Sequence, residues 1–155
     1  DAATSADLIV NATTVGQSGI RHLGGANATS LEAFSSLAPS EPALVADSPD
    51  PSDFWSNWFR QSADAIAENN LRSSQSIAAC KPDAAFVDAV YSPDETVLLR
   101  QARLSGRKTL NGKGMLIMQA AYSFVNRMTR RHLHAAGHDP DALHELVVTT
   151  MADAF

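Results

Sequence analysis

The apolar positions of this chain fall into short unbroken runs and longer stretches with helical spacing. Ala6 to Ala12 and Ala84 to Val90 are unbroken and rich in Leu, Ile, Val and Phe. That pattern predicts strands buried on both faces of a parallel sheet. Arg107 to Leu110 predicts a third, brief strand. Between the first two, Ser52-Asp53 starts a predicted helix that runs to about Asn69. Trp55, Phe59 and Ile66 recur on one face of it, with Trp58 and Ala65 beside them, so that face is expected to be buried. After the second strand, Ser92-Pro93-Asp94-Glu95 reads as a capping box opening a helix to about Ser105. Leu98, Leu99 and Ala102 point inward in it, and Gly106 ends it. Lys113 to about Arg131 is apolar on most sides and predicts one deeply buried helix. Asp139-Pro140 caps a last helix with a stripe of Leu143, Leu146, Val147 and Met151. Strands alternating with helices predict an α/β fold.

Two stretches break this rhythm. Residues 17–30 are rich in Gly, Ser, Asn and Thr and read as loop, followed by a short helix from Leu31 to Leu37. Pro39 to Pro51 holds four of the seven prolines. It reads as linker around a strand at Ala43 to Ala46. The bulk numbers then narrow the class. The 155 residues, 45% hydrophobic and 19% charged, suit one ordinary globular domain. A net charge of −5 argues against a nucleic-acid partner. No apolar run reaches the roughly 20 residues of a membrane span. Cys80 is the one cysteine and reads as a structural or incidental thiol, not a nucleophile, in a reducing, cytoplasmic setting. The chain opens with Asp1 rather than Met and enters a strand almost at once, so it is expected to be a piece of a longer protein.

Candidate chemistry sits at the strand ends. Asn11-Ala12-Thr13 closes the first apolar run, where parallel sheets form ligand crevices; the same residues are also turn formers. Tyr91 follows the second run and either bonds a ligand or closes the loop. Gln119 is a neutral amide in the apolar stretch from Met115 to Ala121. A buried amide needs partners, and it is either satisfied within the core or aimed at a polar ligand. Gly112 and Gly114 flank Lys113 ahead of a helix, where backbone can approach a ligand closely. Neither a Gly-x-Gly-x-x-Gly fingerprint nor a P-loop occurs. His132, His134 and His138 lack the spacing and supporting carboxylates of a metal site, and no metal is expected.

Three segments, in order, resemble shikimate dehydrogenases. Residues 6–16 resemble that family's Asp-Leu-Ile-x-Asn-Ala-Thr-x-x-Gly. Asp88, Tyr91, Pro93, Thr96, Leu98 and Leu99 resemble its Asp-x-x-Tyr-x-Pro-x-x-Thr-x-Leu-Leu. Gly112, Met115, Leu116 and Gln119 resemble its Gly-x-x-Met-Leu-x-x-Gln. The resemblance implies the C-terminal half of a Rossmann-type NAD(P)-binding domain over residues 1–112, with an insertion at about 21–76. Closing helices over 113–155 would pack toward a substrate domain. It implies an enzyme that reversibly reduces 3-dehydroshikimate to shikimate with NADPH, in aromatic amino acid (chorismate) biosynthesis. Tyr91 and Gln119 would contact substrate, and Asn11, Ala12, Thr13, Ala89 and Gly112 would lie by the cofactor, NADP. The family's catalytic lysine and aspartate belong to an N-terminal domain, so no catalytic residue is expected in this chain. Asn111 stands where the family usually has aspartate, and Gln17 where methionine is common. An NAD-dependent quinate/shikimate dehydrogenase and a non-enzymatic module keeping the fold are the alternatives, and a homodimer is left open. The insertion is expected to be a surface add-on.

Overall fold

The unbroken apolar runs pair with each other. In the computed structural model, which describes residues 2–154, β1 (Leu8–Asn11) lies parallel to β5 (Ala85–Asp88), and β5 lies parallel to β6 (Lys108–Leu110). The sheet order is β1-β5-β6. With its helices this is an α/β arrangement, part of a Rossmann-type sheet. The chain divides into two units, Asp1–Asn111 and Gly112–Phe155. A short helix, α1 (Ala2–Ser5), precedes β1. No helix of the described residues is long and apolar enough to cross a membrane.

Strands lying parallel in one sheet need a crossover, usually helical. Between β5 and β6 it is α3 (Val97–Leu104). Between β1 and β5 it is α2 (Pro51–Ala79), whose C-terminal turns reach the sheet. Ile77, Cys80, Ala84, Phe86, Leu98, Leu99 and Ala102 form one core, with Ile9 and Leu37 against it. Ahead of α2, three short strands make an antiparallel sheet: β2 (Arg21–Leu23), β3 (Asn27–Thr29) and β4 (Val45–Ala46). Ala28, Phe34, Val45, Phe54 and Trp58 form a second core between that sheet and the start of α2. The segment expected to be a surface add-on thus supplies the crossover helix itself.

The helix limits and faces differ from expectation in ways that hydrogen bonding explains. α2 continues ten residues past Asn69, and its buried positions are Phe54, Trp58, Ser62, Asn69, Ser73 and Ile77. Half of that stripe is polar, so hydrophobic spacing alone misses it. The Trp58 N–H donates to Thr29 Oγ1 at 3.3 Å, and its ring packs on Phe34 and Phe54. Trp55 and Phe59 cover its outer side; Trp55 is half-buried and Phe59 remains 50% exposed, the reverse of the expected face. No helix forms at Leu31 to Leu37. Asn69 takes up that segment's backbone, accepting from Ser35 N and donating to the carbonyls of Ser35, Ala38 and Pro39.

The expected capping box does not form. Ser92–Pro93 is a cis peptide in a turn, and Thr96 caps α3. Glu95, expected to close the box, instead accepts from Arg103 at 2.6 Å and Arg100 at 3.2 Å. Gly106 takes a φ of 78° just past the helix, the role its sequence position indicated. The sheet is also one-sided. Ile9 and Phe86 share the face under the helices, whereas Leu8 and Val10 point to the other face and are 56% and 54% exposed. β1 is therefore not buried on both sides.

The second unit contains α4 (Lys113–Ser123), a π-helical turn (Phe124–Met128), α5 (Arg130–Ala135) and α6 (Pro140–Asp153). One unbroken helix was expected from Lys113 to Arg131. The Thr129 N–H and hydroxyl both donate to the Phe124 carbonyl, at 3.0 and 2.8 Å, which widens the turn. Ile117, Ala121 and Val125 are buried, one residue per turn. Met115, Met118 and Tyr122 are exposed, and so is Gln119. The expectation of a deeply buried helix with an interior amide is corrected accordingly: three residues a turn apart suffice for this packing. α6 is capped by Asp139, whose side chain accepts from Asp141 N at 3.0 Å. Leu143, Val147 and Met151 are half-buried, while Leu146 is exposed.

Candidate functional site

β1 and β5 end side by side, with Asn11 in register with Asp88. Both are buried, and they form the base of a polar cluster. Asn11 Nδ2 donates to Asp88 Oδ1 at 2.9 Å and to the Val15 carbonyl at 3.1 Å. Its Oδ1 accepts from the Thr13 N–H at 3.0 Å and the Thr13 hydroxyl at 2.7 Å. Asp88 also accepts from Val90 N at 2.9 Å and from the Thr96 hydroxyl at 2.7 Å. Three donors thus converge on the Asp88 carboxyl group, and the buried side chain is satisfied within the chain. Around this base the chain is exposed: Ala12 and Thr13 are open, Ala89 is half-buried and Tyr91 is 41% exposed.

The loops above the strand ends are tied to one another. Gly16 has a φ of 91°, open to glycine, and its N–H donates to the Leu31 carbonyl at 3.0 Å. A Cβ on Gly16 would meet Thr96 Cβ at 3.2 Å. Ser18 N donates to Ser92 O at 2.9 Å, and the two hydroxyls pair at 2.8 Å. Arg21, on β2, donates to the Thr14 hydroxyl and carbonyl at 2.9 and 2.8 Å and to Gln17 at 3.1 Å. Beside the end of β6 a groove of about 290 Å³ is lined by Asp94, Glu95, Leu99, Thr109, Leu110 and Asn111. The hydrogen bond from Arg103, with help from Arg100, holds the Glu95 carboxyl below its ordinary range, and Glu95 in turn raises Arg103.

Of the residues singled out in the sequence, Asn11, Ala12, Thr13, Ala89 and Tyr91 come together at the carboxyl ends of β1 and β5. Gly112 follows β6 by two residues and opens the second unit, and Gln119 lies on α4 of that unit. Asp88, Thr96, Ser18 and Arg21 were not singled out for the site. A carboxylate ending an apolar strand was the legible signal for Asp88; nothing local marks Arg21 or Ser18. Among the described residues no group of three His, Cys, Asp or Glu side chains is placed to hold a metal ion.

A 44-residue stretch of the chain is 54% identical to the shikimate dehydrogenase (NADP(+)) of Methanococcus vannielii. The similarity is to shikimate dehydrogenases. It spans 28% of this chain and 16% of that protein. The same enzyme from Methanococcus aeolicus is 50% identical over 44 residues, with the same shares. That of Halothermothrix orenii is 52% identical over 42 residues, 27% of this chain and 14% of its own. The similarity to each shikimate dehydrogenase therefore covers about a sixth of its length. No family model matches the chain, and no solved structure matches it.

Proposed function

We propose that this chain is part of an NADP-dependent shikimate dehydrogenase that reversibly reduces 3-dehydroshikimate to shikimate in the cytoplasmic route to aromatic amino acids. The observation that carries this reading is the 54% identity over 44 residues to an enzyme of that name. The strand ends support it. Ligands of open α/β sheets bind outside the carboxyl ends of the strands, where Asn11, Ala12, Thr13 and Ala89 converge. Ala12 and Ala89 have the smallest side chains other than glycine, and the carboxyl group at their base, Asp88, is turned inward and hydrogen-bonded within the chain, which is compatible with a flat, anionic cofactor lying over them. NADPH, when bound, supplies the hydride. Gly112, buried at the start of α4, would lie by the cofactor. Tyr91 and Gln119, both exposed, would hold substrate hydroxyls, and the proton would be handled elsewhere in the whole protein.

The test is an assay of the whole protein with shikimate and NADP, with quinate and NAD as comparators. Turnover of shikimate with NADP is expected, and the 155-residue chain alone should be silent. Turnover of quinate with NAD in preference would move the reading to the quinate/shikimate enzymes. Absence of any turnover by the whole protein would favour a non-enzymatic module. Gln119→Ala should raise KM for shikimate, since a substrate hydroxyl loses a partner worth about 1–3 kcal/mol. Its melting temperature should not move, because Gln119 is exposed. A large drop in melting temperature with unchanged KM would make Gln119 a structural amide.

A further inference from the structure

We infer that Asp88 is a positioning residue that orders the Asn11–Val15 loop for cofactor binding, acting through Asn11; the inference rests on the function proposed above. Asp88 is fully buried, and no part of it reaches the open side of the site. What it fixes is the direction of an amide. By accepting from Asn11 Nδ2, it forces the amide oxygen toward Thr13, where that oxygen takes both the N–H and the hydroxyl. The Thr13 hydroxyl in turn accepts from Val15 N at 3.2 Å, and Asn11 Nδ2 reaches the Val15 carbonyl. The loop is thus wound around one side chain, and that side chain is oriented by Asp88. The other carboxylate oxygen holds Thr96, the cap of α3, while Oδ1 also holds Val90, next to Tyr91. Asp88 therefore sets the loop proposed for cofactor and the start of the loop carrying Tyr91 against each other.

The role follows from acceptor geometry, not from negative charge. An asparagine at 88 can keep its oxygen toward Asn11 and Val90 and turn its amide nitrogen to the Thr96 hydroxyl, whose second lone pair can accept beside the Leu99 N–H. Asp88→Asn should therefore preserve the loop. Asp88→Leu has similar bulk and no acceptor. Thr96→Val removes the cap and one bond to Asp88 but leaves Asn11 oriented, so it reports the cost of simple destabilisation.

Two readouts separate the inference from the proposed function. In the 155-residue chain, amide hydrogen exchange is read at Thr13 and Val15. Gly16 is the internal control, because its N–H is held by the Leu31 carbonyl. In the whole protein, KM for NADP and kcat are measured with shikimate. Asp88→Leu is expected to expose the Thr13 and Val15 amides while Gly16 stays protected. KM for NADP should rise roughly tenfold to hundredfold, the equilibrium equivalent of leaving the buried Asn11 amide without its acceptor. Asp88→Asn should stay within about threefold of the native KM. Thr96→Val should lower the melting temperature with KM unchanged. If Asp88→Leu does not fold, Asp88→Ala carries the same comparison, since it too lacks an acceptor. Native protection at Thr13 and Val15 in the folded variant would overturn the inference, as would a loss shared equally by Gly16. So would an unchanged KM in an active whole protein. A whole protein silent toward shikimate would end the proposed function, while the exchange readout would still decide the role of Asp88.

Discussion

Asn69 shows how a single polar residue replaces a hydrophobic contact in this molecule. It is buried in α2, and its amide bonds the backbone of three residues in the 35–39 segment. Asn69→Ala would leave one amide N–H and three carbonyls short of partners in the interior. We expect it to destabilise the chain by about 3 kcal/mol, read from urea unfolding. Asn69→Asp should be worse, because it turns a second acceptor toward those carbonyls. Such residues limit what a sequence discloses. Asn11 and Asp88 could be read as the polar ends of two apolar runs, but their pairing across 77 residues could not. Gln119 was misplaced for the complementary reason: apolar neighbours suggested an interior, and α4 packs through only one residue per turn.

At the scale of elements, β1 and β5 were legible because each belongs to a compact apolar run, whereas β2 and β3 are short, polar and lie in a stretch that reads as loop. The two helices with good signals at their ends, α3 at Gly106 and α6 at Asp139, ended or began where expected. α2 was half legible. Its aromatic start is obvious, but the polar run from Arg72 to Ser76 hides a helix whose inner face is Asn69, Ser73 and Ile77. Its energetics should follow burial, not aromatic count. Trp58→Ala should cost about 3–5 kcal/mol in thermal or denaturant unfolding, since the ring is fully buried. Phe59→Ala, one residue on, should cost about 1 kcal/mol or less. A larger cost at Phe59 would restore the face predicted from spacing.

α3 adds a pH dependence. The Glu95 carboxyl lies below its ordinary value of 4.5 in the folded chain because Arg103, and then Arg100, bond it. A carboxyl depressed on folding stabilises the native state above its unfolded value and loses that contribution as pH falls through the folded one. Melting temperature should therefore fall between about pH 5 and about pH 3 more steeply in the native chain than in Glu95→Gln. The difference should be small, as the pair is partly exposed and screened by solvent. Equal slopes would show that the Arg103–Glu95 contact contributes nothing in solution.

Across the first unit, β1 and β5 are partners whose connection is the antiparallel sheet and α2. Replacing Arg21 to Ser76 with a short loop would remove nearly all of the crossover helix. It would also remove Arg21 and Leu31, which hold Thr14 and Gly16. We expect the result to lose cooperative unfolding in circular dichroism; a native-like transition would show that α2 is dispensable. The connection also has a kinetic side. β1 leaves the ribosome long before β5, and among the described residues β5 is the parallel strand nearest to it in sequence. Contacts at such separation carry a loop-closure cost that is recovered only once the intervening helix has formed. Folding should then begin within α2 and the antiparallel strands, with φ-values high at Trp58 and low at Ile9. β1 would be seated after elements that follow it in the chain, and Ile9, which the core covers in the finished fold, would spend that interval in water as a chaperone-visible residue.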